Sequence, residues 1–597
     1  MKLRRIRPEL VTQFGVPPSD GSLKPPKGGT ANALQLIVLL ILLAATSAAA
    51  QQPTPQTRND AISGRVVNEA GQPIAGASVS LDVMGASMGR RTSTDSDGNF
   101  KIGGLDGGIY RLFLYAPGYV TQSPNSSSPM FRPGDKAELT MSRGAVIAGT
   151  VTNISGEPLV MVQVRAFQIR DVDGNRVQRA YSSDGVMSDD RGYYRMWSLP
   201  AGTYVIAAGG QGQYFGSVNP FANDALTYAP ASTRDTAAEI VVRSNQEANV
   251  DIRYRGDAGH AVSGKVSGVT PPPPYSPGVR LVEPDTRTIV GNAYVNNAEK
   301  TFQINGVADG EYEISAVSGN STDGLASSAR RITVRGADVT GLDLALAPMA
   351  SIDARVNLET DLKLNCGRRR DTALRETVVA LQRGRPEEKP AAVKDKPPDT
   401  SEVSLLASSS YDTVPNDKGD IRFRNLSAAT YRFEIRLPAS GWYLRDLSLA
   451  KPGLNLARNG IGLKQGEKVA GITIAITEGG ASLRGRVMFS EDQSLPQNTR
   501  VYLTPAEREH ADNPLRFFED PVATDGSFAI GNVAPGKYWL IAQPAERIDA
   551  NMFRSPRTDS DFRAKLLRDA TTLSKEIAFK PCERNVDYEF RYPATKP

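Results

Sequence analysis

The 597-residue chain contains two histidines, His260 and His510. Neither stands in a His-x-x-Glu or His-Glu-x-x-His arrangement, the kind of spacing that gives a zinc peptidase its ligands with a carboxylate beside them. Gly85-Ala86-Ser87-Met88-Gly89 matches the Gly-x-Ser-x-Gly nucleophile elbow by letter. That elbow works only between a strand and a helix with a histidine in reach, and here the flanks read as strand on both sides. Cys366 has no neighbouring histidine to activate it as a nucleophile. No catalytic residue is assigned, and the protein is not expected to be an enzyme.

Asp95-Ser96-Asp97-Gly98-Asn99 and Asp171-Val172-Asp173-Gly174-Asn175 begin as calcium cages begin, with alternate carboxylates ahead of a glycine. A full cage takes roughly six or more oxygens, including a later acid. The same residues make ordinary hairpin turns, and turns are the reading adopted. No metal or cofactor is expected, although Asp95 and Asp97, or Asp171 and Asp173, are the residues calcium would use. Aromatic residues are more informative. If Tyr538 and Leu540 face a core, strand alternation turns Trp539 outward, and the same phase turns Tyr193 away from Tyr194. Trp442-Tyr443 follows a similar strand. Outward rings are platforms for sugars or fill contacts between neighbouring domains. Tyr193, Trp442, Tyr443 and Trp539 are therefore the candidate ligand contacts.

The elements that would position these residues repeat five times. One copy reads Thr94-Asp95-Ser96-Asp97-Gly98-Asn99-Phe100-Lys101-Ile102, then Leu105, then Gly108-Ile109-Tyr110. Phe100 to Tyr110, Tyr194 to Tyr204, Phe302 to Tyr312, Ile421 to Tyr431 and Phe528 to Tyr538 share one spacing. The pattern predicts a hairpin: an Asx-Gly turn, a strand with alternate residues inward, a glycine at positive φ two residues before the tyrosine, and a second strand carrying that tyrosine into the core. A buried tyrosine needs a partner for its hydroxyl, and nearby backbone is within reach. Upstream lies a strand-turn-strand pattern, Ile62-Ser63-Gly64-Arg65-Val66 followed by Gly71-Gln72-Pro73-Ile74-Ala75-Gly76-Ala77-Ser78-Val79. It recurs around Gly149, Gly264 and Gly485, while the fourth copy has Ala354 in place of the glycine.

Gly-x-Val, Gly-x-Pro-Ile-x-Gly-Ala-x-Val, Thr-Asp-x-x-Gly-x-Phe and Gly-x-Tyr together resemble the carboxypeptidase regulatory-like domain, best over residues 62–120. The resemblance implies small seven-stranded sandwiches, related in shape to transthyretin and to starch-binding modules, and an accessory domain without its peptidase. The expected fold class is all-β, a tandem array of five small immunoglobulin/transthyretin-like β-sandwich domains with one short C-terminal helix. The expected boundaries are 61–143, 144–255, 256–348, 349–478 with a charged loop at 366–401, and 479–597. The joints between units are short, which predicts a semi-rigid rod. In the last unit Phe562, Leu566, Ala570, Leu573 and Ile577 approximate one helical face, with Ser560 as N-cap. Pro271 to Pro274 reads as a stiff loop.

Residues 1–50 read as a secretory signal, with a basic start, the apolar run Leu36 to Ala45 and small residues up to Ala50. Residues 51–60 read as a disordered spacer. The first fifty residues carry a net charge of +4 out of the formal +5. The nearly neutral remainder argues against nucleic-acid binding, which needs a concentrated basic face. No membrane span is expected once the signal is removed. Cys366 and Cys582 can pair in an oxidising compartment, linking the fourth and fifth units, or stay apart. The functional expectation is a non-catalytic exported protein of the cell envelope, periplasmic or extracellular, with binding or structural duties. The partners considered are a polysaccharide held on the outward aromatics, or an envelope protein such as a peptidase or outer-membrane transporter that this chain serves as an accessory subunit.

Overall fold

The computed structural model describes residues 60–591, with breaks at 85–88, 122–128, 175–176, 178–184, 211–219, 269–275, 285–287, 319–323, 362, 365, 367–371, 384–409, 451–454, 489–494, 550–551 and 574. The signal and spacer, Ser87, Pro271 to Pro274 and most of the 366–401 loop lie outside the described residues. What is described is an all-β chain of paired sheets. In the first pair, one sheet takes Asn99–Ile102, Ile62–Asn68, Lys136–Arg143 and Tyr119–Thr121 in that order, and the other takes Arg90–Ser93, Ser78–Val83, Tyr110–Tyr115 and Met130–Phe131. This makes eight strands where the resemblance implies seven.

The same pairing recurs. The opening strand of each unit lies between the strand that carries the first core residue of the motif and the unit's closing strand. It pairs antiparallel with the former and parallel with the latter, as Ile62–Asn68 does with Asn99–Ile102 and with Lys136–Arg143. Ala350–Glu359 and Ala481–Met488 do likewise in the fourth and fifth units. The parallel ladder explains the Gly-x-Val glycines. A Cβ on Gly64, Gly149, Gly264 or Gly485 would come within 2.2, 2.0, 2.1 or 2.1 Å of a carbonyl oxygen of the neighbouring closing strand.

The five motif tyrosines are buried, and each hydroxyl donates to the carbonyl four residues earlier: Tyr110 to Asp106, Tyr204 to Pro200, Tyr312 to Ala308, Tyr431 to Ser427 and Tyr538 to Ala534, at 2.7–3.1 Å. A hydroxyl tied this way fixes the turn to the strand that follows it. The expected positive φ before the tyrosine holds at Gly202, Gly310 and Gly536 but not at Gly108 or Ala429. The left-handed position common to all five units lies earlier, at Gly104, Ser198, Gly306, Asn425 and Asn532, with φ of 56–70°. In the second to fifth units the antiparallel ladder shifts register close to this residue, the signature of a β-bulge. Small or Asx side chains tolerate that geometry best.

The rod expectation is overturned. The first unit lies against the fourth: Arg132 Nη2 donates to Leu437 O at 2.8 Å, Arg132 pairs with Glu376 at 3.4 Å, Arg436 Nη2 donates to Met130 O at 3.1 Å, and Arg111 pairs with Asp412. Joint length limits how far two units separate and says nothing of the direction in which the chain turns. One smaller expectation also changes, and one open alternative is decided. Asp559 rather than Ser560 caps the helix Ser560–Leu573, accepting from Phe562 N at 2.9 Å. Cys366 and Cys582 are joined as a disulfide with Cα atoms 4.8 Å apart, within the span such a bridge allows.

Candidate binding surface

The four aromatic candidates meet different fates. Trp539 lies outward of its own sandwich as alternation requires, but Phe562, Leu566 and Ala570 of the helix pack there with Tyr502 and Ile541, and Trp539 is half-buried beside them. Trp442 is half-buried in the fourth core, and its carbonyl accepts from Asn532 Nδ2 at 2.7 Å. Tyr443 packs against the fifth core. These two therefore stand at the joint between the fourth and fifth units, which Cys366–Cys582 also crosses. Each of these three rings is half-buried against its own chain. Tyr193 differs: it remains 40% exposed while its neighbour Tyr194 is fully buried.

Tyr193 begins the strand Tyr193–Leu199, which pairs antiparallel with Ala145–Thr152; that strand in turn pairs parallel with Glu247–Asn249. Tyr193–Leu199 is at the edge of this sheet. Its inner residues Tyr194, Met196 and Leu199 enter the core of the second unit, and Tyr194 Oη donates to Val250 O at 2.5 Å. Burial drives the Tyr194 phenol well above its ordinary range, with the charge on Asp251 adding to the effect. Its outer residues are Tyr193, Arg195 and Trp197, all exposed, with Trp197 at 55%. Alternation from Tyr193 was enough to find Trp197 on the same face, although the sequence reading did not single it out. Around the rings, Arg195 Nη2 pairs with Glu247 at 3.0 Å, which holds that carboxyl below the usual carboxylate range. Asp251 Oδ1 accepts from Thr150 N and Oγ1 at 2.8 and 2.9 Å, and Asn249 Nδ2 donates to Asp251 Oδ2 at 3.3 Å.

The acidic turns are closed by their own backbone. Asp95 Oδ1 accepts from Asp97 N and Asn99 N at 3.0 and 2.8 Å, and Asp171 Oδ1 from Asp173 N at 3.0 Å. Asp189 and Asn416 repeat the first arrangement in later units. Glu507, Glu509 and His510 form a cluster around one turn, with ligand atoms within 4.8 Å of one another. The carboxylates lie 3.5 and 3.6 Å from His510 Nε2. Three ligands from a single turn fall short of the four that close a structural zinc site. His260 is far from them in sequence, and meets Asp309 at 3.3 Å in the third unit.

The turn at Asp95, the Gly64 ladder and the Tyr110 corner all fall within residues 61–140, the stretch that matches the carboxypeptidase regulatory-like domain. Residues 61–140 are thus similar to that family. The later units repeat its turn, left-handed residue and tyrosine corner. No curated protein matches the chain. Among solved structures, the minor pilin GBS52 of Streptococcus agalactiae is similar over 33% of this chain and 95% of its own, at 14% identity and a TM-score of 0.19. The Bacillus anthracis TIE protein covers 82% of this chain and 71% of its own, at 8% identity and a TM-score of 0.15. Two B repeat units of the Staphylococcus aureus collagen-binding protein cover 70% and 99%, at 10% identity and a TM-score of 0.13. The fold is read from strand pairing, and nothing about function is taken from likeness at this level.

Proposed function

We propose that the protein is an exported, non-catalytic scaffold of the cell envelope that displays carboxypeptidase regulatory-like sandwiches. The observation that carries this reading is how the repeat spends its polar groups. The motif tyrosines and the Asx turns are engaged by backbone, so these hydrogen bonds serve to hold the fold. The histidines stand in separate units, each beside carboxylates. The Cys366–Cys582 bridge supports passage through an oxidising compartment, where such bonds persist. Contacts between units support a fixed display of surfaces, since first meets fourth and fourth meets fifth through charged and backbone hydrogen bonds.

Cell fractionation of the source organism, with N-terminal sequencing of the recovered protein, tests the reading. Recovery with the envelope or outside the cell, starting at Gln51, supports it. A cytoplasmic protein with free thiols overturns export. Turnover of a peptide or ester by the purified chain overturns the non-catalytic assignment.

A further inference from the structure

We infer that the outer face of the strand Tyr193–Leu199 is a glycan-binding platform, on which Tyr193 and Trp197 stack against the rings of an uncharged polysaccharide. The inference deepens the scaffold reading by naming what one displayed surface holds. The repeat itself supplies the comparison. The outward residues at the equivalent positions are Lys101 and Gly103 in the first unit, Gln303 and Asn305 in the third, Arg422 and Arg424 in the fourth, and Ala529 and Gly531 in the fifth. In the second unit these positions hold Arg195 and Trp197, with Tyr193 ahead of them. The fold therefore does not demand rings here; polar and small side chains serve in four copies.

Geometry and charge restrict the occupant. Residues four apart on a strand are about 13 Å apart along it, long enough to seat more than one sugar ring. The two rings are exposed singly in a row, with polar groups between and beside them, rather than fused into the broad apolar patch that marks a protein interface. Arg195, Glu247, Thr150, Asn249 and Asp251 offer donors and acceptors beside the rings, the pattern that hydroxyl-rich ligands satisfy. The charges nearly cancel: Arg195 is matched by Glu247, and Asp251 by the exposed Arg253 in the same outward row. This face complements a neutral chain and offers an anionic one no net attraction, so a nucleic acid or an acidic polymer is a poor match.

The test is retention of the purified chain on insoluble cellulose, chitin and starch, and on an acidic gel such as cross-linked alginate, for wild type, Tyr193→Ala, Trp197→Ala, Trp197→Phe and Trp539→Ala. The expected result is retention on at least one neutral polymer, weakened tenfold or more by Tyr193→Ala and by Trp197→Ala. Trp197→Phe retains part of the binding, and Trp539→Ala leaves it unchanged at 25 °C provided its circular dichroism is native. Both target rings are exposed, so their removal leaves the core in place. Binding to no neutral polymer, binding indifferent to both ring substitutions, or binding to the acidic gel alone overturns the inference. Such a failure leaves the export and non-catalytic readings standing, since those rest on fractionation and turnover.

Discussion

Asn532 Nδ2 donates to the carbonyl oxygen of Trp442 at 2.7 Å, and to that of Ala439 at the same distance. Asn532 is the left-handed bulge residue of the fifth unit, with φ of 57°, and both acceptors belong to the fourth. Its counterpart in the fourth unit, Asn425, accepts through Oδ1 from Gly324 N in the third at 2.8 Å. In the third, Gly306 packs so closely on the second that a Cβ there would come within 2.6 Å of Asp224 O. In the third, fourth and fifth units this residue thus also docks the sandwich on its predecessor. One residue serves both ends because a bulge at the sheet rim turns its side chain away from the ladder.

Asn532→Ala is expected to lower stability by about 1–3 kcal/mol, since two half-buried carbonyls lose their donor and the new residue tolerates positive φ poorly. Asn532→Gly keeps the backbone and loses only the bonds, so it is expected to fall between the two. Urea denaturation of all three proteins reads the order, and equal midpoints for wild type and Asn532→Gly would remove the joint bonds from the account.

Gly485→Ala would place a methyl 2.1 Å from Tyr588 O. The closing strand must shift to admit it, at a cost of roughly 1–3 kcal/mol. Ala354 occupies the corresponding place in the fourth unit and is buried without such a conflict, so Ala354→Gly is expected to cost only about 0.5–1 kcal/mol of backbone entropy. Thermal unfolding distinguishes the pair, and the opposite order would refute the ladder as the reason for the glycine.

Reduction of Cys366–Cys582 frees a link spanning 216 residues. The expected loss is about 2–5 kcal/mol, read as a lower denaturant midpoint with dithiothreitol and reproduced by the double Cys→Ser variant without it.

Burial raises the phenol pKa of Tyr110, of Tyr538 and, with the help of the Glu283 and Asp309 charges, of Tyr312, which is pushed up to about 12. A raised folded value means that the neutral phenol stabilises the fold fully below the ordinary tyrosine pKa of about 10, and that this stability is lost as pH rises towards 12. Ultraviolet titration is expected to show these phenols ionising late and together with unfolding. Tyr312→Phe, which deletes the titrating group, is expected to flatten the alkaline fall in stability.

Much of this protein was legible in the chain. Period-two alternation around Phe100, Tyr194 and Phe528, with a tyrosine ten residues on, determines hairpins and their inward faces, because a strand's side chains have only two directions. The same rule assigns Tyr193 to the surface, and would have assigned Trp197 with it. Sequence alternation could not tell an outward ring that meets solvent from one that meets another element. Trp539 lies beside a helix more than twenty residues later in the chain, and Trp442 and Tyr443 lie at a joint. Nor could it foresee that Arg132 meets Glu376 or that Cys366 meets Cys582. Those contacts join residues far apart in the chain, and pairing at such separation leaves no local pattern in the residues it brings together.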